Sequence, residues 1–502
     1  APLRASYRNR HLADGARTPF AKTCQGWFSW LGGSVMARVN LNLLFDGETA
    51  IPLLDGLSSV KWFDRFLNTY NVFESNSDNR LVADVGLTGQ DWTAKIVRFG
   101  GAAENNLTRI TDLDGGTGRR IDYLELGYNS SVVLDSTRAR QINGWDGKKH
   151  EVTLGENQQG STFSIHLFAE ENFVTTGSAF VFNIETGLGG SDADRAKGDV
   201  ITIGSGGAGT VRTSAGDDKV VVRKGFAEFV STSGGEDIVV IGNSGAGVVR
   251  TGGGNDTVRT GNAFVELIST GNGNDTAEVG AGGAAVVRLG SGRDIVRLSE
   301  TGPGAGVQIS GGDGRDTVDF SKISSGVVFS LNLDGAWQNP GAPGGRLGAE
   351  GTGFVQATSV ENLTGTAKGD RLKGDGGANL LAGKGGNDRL AGLAGSDRLN
   401  GGGGNDRLAG GGGNDTLKGG SGNDTLTGGK GADTFVFKCG DDLVRDFEEG
   451  SDILQISGHS GGFASLSITD SAGSRLITHD GGTVRLDGEA GLALSADDFV
   501  FV

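Results

Sequence analysis

Residues 401–427 read GGGGNDRLA GGGGNDTLK GGSGNDTLT, three nine-residue units with an aspartate and a leucine at fixed places. Outward from there, the register holds from Gly365 to Val436. Asp370, Asn379, Asp388, Asp397, Asp406, Asp415, Asp424 and Asp433 fall nine apart; Leu372, Leu381, Leu390, Leu399, Leu408, Leu417, Leu426 and Phe435 follow each by two places. A single unit would mean little, but eight in register mark a repeat architecture. The glycines let the backbone turn tightly, with positive φ where needed, so that carbonyl oxygens converge. The apolar residue after the turn opens a short strand and faces inward. Each unit is therefore a turn and a strand, half of one coil.

The chemistry follows from the donors. A carboxylate among backbone carbonyls is an all-oxygen set, which suits a hard cation tolerant of irregular geometry: calcium rather than zinc or magnesium. The core is thin. Burying one leucine, with its ladder hydrogen bonds, hardly offsets the entropy of ordering nine backbones. Stacked carboxylates also repel. Bound ions would cancel that repulsion and add cohesion, so the array is expected to be disordered in the cytosol and to fold outside the cell, where calcium is plentiful.

These units resemble the RTX (repeats-in-toxin, haemolysin-type) calcium-binding repeats. The resemblance implies an all-β fold, a right-handed parallel β-roll or β-solenoid, with ions between turns of one edge, two units apart. One edge would then stack Asp370, Asp388, Asp406 and Asp424, and the other Asn379, Asp397, Asp415 and Asp433. Gly386, Gly395, Gly404, Gly413, Gly422 and Gly431 occupy the turn position that offers a carbonyl in that family. Asn379 carries no charge, so its site is expected to be weak or empty. The resemblance also implies export by a type I secretion apparatus that reads an uncleaved carboxyl-terminal signal. The final Ser495-Ala-Asp-Asp-Phe-Val-Phe-Val is similar to such signals, and Asp446-Phe-Glu-Glu-Gly-Ser-Asp-Ile-Leu resembles the segment that caps such rolls.

A longer period precedes the array. Asp199, Asp218, Asp237, Asp256, Asp275 and Asp294 are nineteen apart, and Asp316 follows after twenty-two. Ile201, Val220, Val239, Val258, Ala277, Val296 and Val318 lie two places on, and a second strand carries Val211, Val230, Val249, Ile268 and Val287. Nineteen is close to two nine-residue units, so each period reads as one full coil with calcium along one edge and a dry opposite edge. The alternative is a metal-free solenoid whose aspartates cap turns. Arg293 and Arg315 stand beside their aspartates and are expected to weaken those sites.

The remaining divisions are coarser. Residues 1–35 form a basic arm, and Met36, the one methionine, suggests a natural start there. Residues 36–190 read as a β-rich module, either a small domain or an irregular start to the solenoid. Strand-like runs lie at Val39–Phe45, Thr93–Phe99, Tyr123–Leu126, Ser131–Leu134, Glu151–Leu154, Thr162–Phe168 and Ala179–Ile184, with a helix near Val60–Tyr70. Residues 191–320 are the long-period roll, 321–364 a linker and entry strand, 365–436 the nine-residue roll, and 437–502 a cap with the secretion signal.

Composition narrows the function. Glycine is 93 of 502 residues, and its periodicity argues for a repeat fold rather than disorder. A net charge of -16 disfavours nucleic acid and anionic membrane as partners and favours cations. Cys24 and Cys439 are too few for a disulfide framework or a zinc cluster. No apolar run is long enough to span a membrane, and none at the amino terminus reads as a signal peptide. There is no H-E-x-x-H motif and no phosphate-binding loop. Gly458-His459-Ser460-Gly461-Gly462 matches a nucleophile elbow, but the forty residues after it read as β and offer no hydrolase-sized domain. Asp112-Leu-Asp114 lacks the closing glutamate of a calcium loop, because residue 123 is tyrosine. The carboxylate pairs Asp122 with Glu125 and Glu170 with Glu171 read as surface acids. The preferred expectation is a non-catalytic, secreted calcium-binding protein with a structural or adhesive role towards a cell-surface or matrix ligand. The competing one is an extracellular hydrolase or lyase with its active site in 36–190.

Overall fold

The computed structural model describes residues 148–156, 161–187, 197–299, 306–331 and 353–502 throughout. Before these it describes the strands at Phe28–Leu31, Ser34–Ala37, Leu57–Asp64, Thr69–Ser75, Thr93–Phe99, Asn106–Ile110, Arg120–Leu126, Ser130–Leu134 and Arg138–Gly144, and between them Gly345–Leu347. The expected strand at Val39–Phe45, the Asp112 loop and the proline-containing linker lie outside the described residues. The chain divides into two compact units, residues 1–252 and 253–502. Both are built almost wholly of short strands.

In the first unit, successive strands alternate between two parallel sheets. One sheet stacks Thr93–Phe99, Arg120–Leu126, Arg138–Gly144, Thr162–Leu167, Val181–Thr186, Ala208–Arg212 and Ala227–Ser231. The other stacks Asn106–Ile110, Ser130–Leu134, Lys149–Leu154, Glu171–Thr175, Val200–Ile203 and Lys219–Val222. Because β side chains alternate faces, one apolar residue per strand repeats at the same register and forms an inner column. Ile142, Ile165, Ile184, Val211 and Val230 make one such column, and Val132, Val152, Val174, Ile201 and Val220 the facing one, all at most 1 % exposed. β-Branched residues suit this pleated, packed surface.

The helix expected near Val60–Tyr70 is not formed. Leu57–Asp64 and Thr69–Ser75 are antiparallel strands, and the second pairs in parallel with Thr93–Phe99. The apolar spacing of Val60, Phe63, Phe66, Leu67 and Tyr70 mimics a helical stripe. A free sheet edge at the start of the ladder outweighs that local periodicity.

The second unit holds both repeat lengths. Thr276–Val279, Ile295–Leu298, Thr317–Asp319, Asn362–Thr364, Leu380–Gly385, Arg398–Gly403, Thr416–Ser421 and Thr434–Phe437 form one continuous parallel ladder. In the facing sheet Gly345–Leu347 runs antiparallel to both Val328–Ser330 and Gly353–Thr358, a local interruption between the two repeat lengths. Beyond it Arg371–Lys373, Arg389–Ala394, Arg407–Gly412 and Thr425–Lys430 stack in parallel. Leu372, Leu381, Leu390, Leu399, Leu408, Leu417 and Leu426 fill the interior, none more than 2 % exposed. At the carboxyl end Ser467–Ser471, Ser474–His479 and Gly482–Leu486 form an antiparallel meander, and Phe499–Phe501 closes the other sheet on Ile453–Ile456. Both sheets are thereby ended by strands that do not repeat.

Candidate metal centre

The aspartates of the nine-residue units form two buried columns. Along one edge the backbone N–H of Asp370, Asp388 and Asp406 donates to Oδ1 of Asp388, Asp406 and Asp424, at 2.7–2.8 Å. Along the other, N–H of Asn379, Asp397 and Asp415 donates to Oδ1 of Asp397, Asp415 and Asp433, each at 2.8 Å. Each carboxylate thus reaches one coil back, eighteen residues, and ties its turn to the preceding one. All six of these acids are 2 % exposed or less.

The second carboxylate oxygen is the unusual feature. Oδ2 of Asp388, Asp397, Asp406, Asp415, Asp424 and Asp433 is buried and accepts no hydrogen bond. A buried acceptor without a donor is costly. Each such oxygen lies against the glycine five residues earlier: a Cβ on Gly383, Gly392, Gly401, Gly410, Gly419 or Gly428 would collide with it. The glycines therefore keep a cradle open beside the carboxylate. The turn glycines Gly404, Gly413, Gly422 and Gly431 have φ of 121°, 121°, 121° and 130°, and a Cβ on any of them would strike the carbonyl oxygen of Gly386, Gly395, Gly404 or Gly413 in the coil before. In the carboxylate cradles themselves, the same Cβ position on Gly383, Gly392, Gly401 and Gly410 also meets the carbonyl oxygen of Gly401, Gly410, Gly419 and Gly428, one coil on, at 2.7–2.8 Å. Among the described residues no three His, Cys, Asp or Glu side chains converge as a metal site would require, so any ion must draw on these backbone oxygens.

Burial raises the acids. Asp388 is pushed up to about 7, and Asp406 and Asp415 to about 6, by desolvation, with the backbone hydrogen bond opposing and neighbouring carboxylates adding to the rise. The column is poorly hydrated and short of positive charge. Its open oxygens fit a hard cation.

Asn379 differs. Its Oδ1 accepts from the Asp375 N–H at 2.9 Å, and its Nδ2 donates to the Glu361 carbonyl at 3.0 Å. The side chain satisfies itself within the protein. Asp370 is likewise engaged: the N–H groups of Val327 and Thr366 donate to its Oδ1 and Oδ2, each at 2.7 Å.

The long-period aspartates use the same backbone link. N–H of Asp199, Asp218, Asp256, Asp275 and Asp294 donates to Oδ1 of Asp218, Asp237, Asp275, Asp294 and Asp316, at 2.7–2.9 Å. Their cradle is different. Thr213, Thr232, Thr251 and Thr270 stand five residues before Asp218, Asp237, Asp256 and Asp275, where the nine-residue units have glycine. The Thr232 and Thr270 hydroxyls donate to the Thr251 and Leu289 carbonyls, at 3.2 and 2.9 Å, and Oδ2 of Asp218 and Asp275, like that of the array acids, is buried and accepts no hydrogen bond. Burial carries Asp218 up to about 8 and Asp237 to about 6, with hydrogen bonds to the carboxylates opposing the rise. Asp199 similarly receives the Asn172 N–H at 2.7 Å. At Asp316 the open form returns, since a Cβ on Gly311 would meet its Oδ2.

Three column members escape the sequence pattern. The N–H of Asp424 donates to Asp442 Oδ1 and that of Asp433 to Asp452 Oδ1, each at 2.9 Å. The N–H of Asp316 donates to Glu361 Oε2 at 2.8 Å. The spacing of eighteen from Asp424 to Asp442, with Val444 two places on, is the signal that could have found the first. Ser460, the centre of the G-x-S-x-G match, does not contact a histidine ring; His459 instead lies 3.1 Å from Asp480 and 2.7 Å from Ser465, whose hydroxyl also bonds the Gly462 carbonyl in a short surface turn.

A family model for the RTX calcium-binding nonapeptide repeat matches four times, over residues 359–390, 383–417, 400–435 and 410–444. Residues 359–444 are RTX repeats. They are calcium-binding motifs in a parallel β-roll. Among solved structures, the chain is similar to the AlgE6R3 subunit of the Azotobacter vinelandii mannuronan C5-epimerase, with 31% identity over 26% of this chain and 78% of that one and a TM-score of 0.19. It is also similar to the extracellular lipase LipA of Serratia marcescens, with 20% identity over 51% of this chain and 40% of the lipase and a TM-score of 0.16. A comparison with curated proteins returns no match. Among the described residues no helix is long and apolar enough to cross a membrane.

Proposed function

We propose that this is a secreted protein whose RTX array folds on calcium outside the cell, and whose role there is structural or adhesive. The observation that carries the reading is the buried, unpartnered Oδ2 held against a glycine cradle in Asp388, Asp397, Asp406, Asp415, Asp424 and Asp433. These acids, with the carbonyls of Gly386, Gly395, Gly404, Gly413, Gly422 and Gly431, would hold the ions. Calcium supplies the positive charge that the columns lack. Asp370, already engaged by the Thr366 and Val327 N–H groups, is a weaker candidate. So are Asp199, Asp218, Asp237, Asp256, Asp275, Asp294 and Asp316, where a side chain stands at the place of the cradle glycine or an arginine stands beside the acid. Export by a type I secretion apparatus reading residues 437–502 fits a chain that stays unfolded at low calcium. The unbroken parallel ladder from Thr93–Phe99 onward supports a structural rather than catalytic use of that region.

A calcium titration followed by far-ultraviolet circular dichroism tests this. β signal should be reduced in chelator by the array's share and rise to saturation at millimolar calcium; an unchanged spectrum would sink the reading. The acids add a pH dependence. Their folded pKa values, about 6 to 7 for Asp388, Asp406 and Asp415, stand above the ordinary aspartate value of 3.8. The calcium-free fold therefore holds extra protons, gains stability below about pH 4, and loses it as pH rises through 6 to 7. Calcium must displace those protons, so the titration midpoint should fall to lower calcium between pH 5 and pH 7.5.

A further inference from the structure

A groove of about 620 Å³ runs along the acidic edge of the second unit, where the long repeat gives way to the nine-residue units. Arg293, Arg315 and Arg398 line it, all exposed, and none makes an ion pair among the described residues. Arg293 and Arg315 follow the paired residues Gly292 and Gly314, so they rise from adjacent coils, one strand spacing of about 4.8 Å apart. The equivalent turns earlier in the chain hold Asp217, Glu236, Asn255 and Asn274. Adjacent like charges repel, so this pair destabilises the apo fold slightly. The two acids that line the groove do not neutralise it. Asp294 and Asp397 are 0 % and 1 % exposed and turn Oδ1 to the backbone N–H of Asp275 and Asn379.

The floor is a single cross-strand row. Ile295, Thr317, Asn362, Leu380, Arg398 and Thr416 pair in succession across the sheet. Leu380 is 46% exposed in the middle of it. Cationic ends with a polar and apolar middle describe a ligand that is extended, bears spaced anions, and has both hydroxyls and an apolar face. We propose that this groove binds a uronic-acid-bearing glycan chain. Arg293 and Arg315 take carboxylates of successive sugars, since the strand spacing is close to the rise per residue of an extended glycan. Arg398 takes a carboxylate further along. Leu380 lies under a pyranose face, and Thr317 and Thr416 meet hydroxyls. A guanidinium binds carboxylate through two parallel donors, which a lysine does not. The site deepens the adhesive reading by giving it a ligand class, and it rests on that reading.

The test uses the calcium-loaded full chain and isothermal titration at fixed free calcium with three probes: oligogalacturonate, neutral dextran and a DNA duplex. Oligogalacturonate should bind, and dextran and DNA should not. The double variant Arg293→Gln/Arg315→Gln should weaken binding roughly tenfold or more, with its calcium-dependent β signal retained at a calcium midpoint no higher than wild type, because removing the two cations relieves their mutual repulsion. Arg389→Gln/Arg407→Gln removes the same charge from a row in the facing sheet and should leave affinity intact. Equal losses from the two pairs, equal binding of DNA, or no loss from the first pair would each overturn the groove assignment. Retention of calcium-dependent coating of cells or matrix in those cases would leave the adhesive reading standing. Absence of both coating and glycan binding would remove the two together.

Discussion

The long repeat and the nine-residue array build the same kind of coil from different resources. A long-repeat coil buries Val220, Val222, Ala227 and Val230, whereas an eighteen-residue coil of the array buries Leu381 and Leu390. The first has one column of aspartates, several with a threonine side chain at the cradle position; the second has two columns facing open glycine cradles. Where side chains supply cohesion, the carboxylate can be a turn cap. Where they do not, an ion is the remaining source. Calcium dependence should therefore be local to the array.

The largest effect should appear in chelator. Hydrogen exchange resolved by peptide should show residues 380–430 losing protection while residues 200–250 keep it. Leucine columns of this kind offer about 1.5–3 kcal/mol per buried side chain, too little to hold glycine-rich backbone alone. Equal loss in both regions would erase the distinction, and equal retention would show that the array needs no ion.

Much of this was legible because the array's period does not slip. Nine-residue spacing of Asp388 through Asp433 gives the strand, the turn, the inward leucine and the stacking of alternate units, and the structure has all four. What the sequence hid has a physical reason in each case. Asp442 keeps the count, nine after Asp433, but Phe437-Lys438 stand where its unit should open with two glycines; Asp452 falls nineteen after Asp433, so the count slips by one. Glu361 lies nine before Asp370 with Leu363 two places on, so it is in register; a glutamate in place of the aspartate hid it, and its longer side chain reaches the Asp316 N–H. The helix expected at Val60–Tyr70 failed because apolar spacing alone cannot report a waiting sheet edge. The threonine or glycine five residues before each acid was visible in sequence, but its meaning depends on the carboxylate turning back towards it.

Exchanging that residue sharpens the comparison at intermediate magnitude. Gly401→Thr should fill the cradle of Asp406 and remove one ion, since any Cβ there collides with Oδ2. Losing an ion held at about ten times its dissociation constant costs about 1.4 kcal/mol. The reverse change, Thr213→Gly, should open Asp218 to calcium. Ion counting by equilibrium dialysis should read one fewer and one more. If both variants bind the wild-type number, the cradle residue does not govern occupancy, and the regions differ in core alone.

The smallest effect concerns two units that break the glycine rule of their own array. Lys384 and Leu393 occupy the place held by Gly402, Gly411, Gly420 and Gly429, and they share its left-handed backbone, with φ of 80° and 88°. A side chain there costs about 1–2 kcal/mol, while glycine loses about 0.5–1 kcal/mol to its freedom when unfolded. Leu393→Gly should therefore stabilise the calcium-loaded array by at most about 1 kcal/mol, a rise of about 2–4 °C in its melting temperature. Leu393→Ala separates the causes: it shortens the side chain but keeps the Cβ, so it should gain little. If alanine raised the melting temperature as much as glycine, the cost would lie in the half-buried leucyl group and not in the backbone. The array's demand for glycine at that place would then reflect only the close approach of Gly411 to the Leu393 carbonyl in the neighbouring coil.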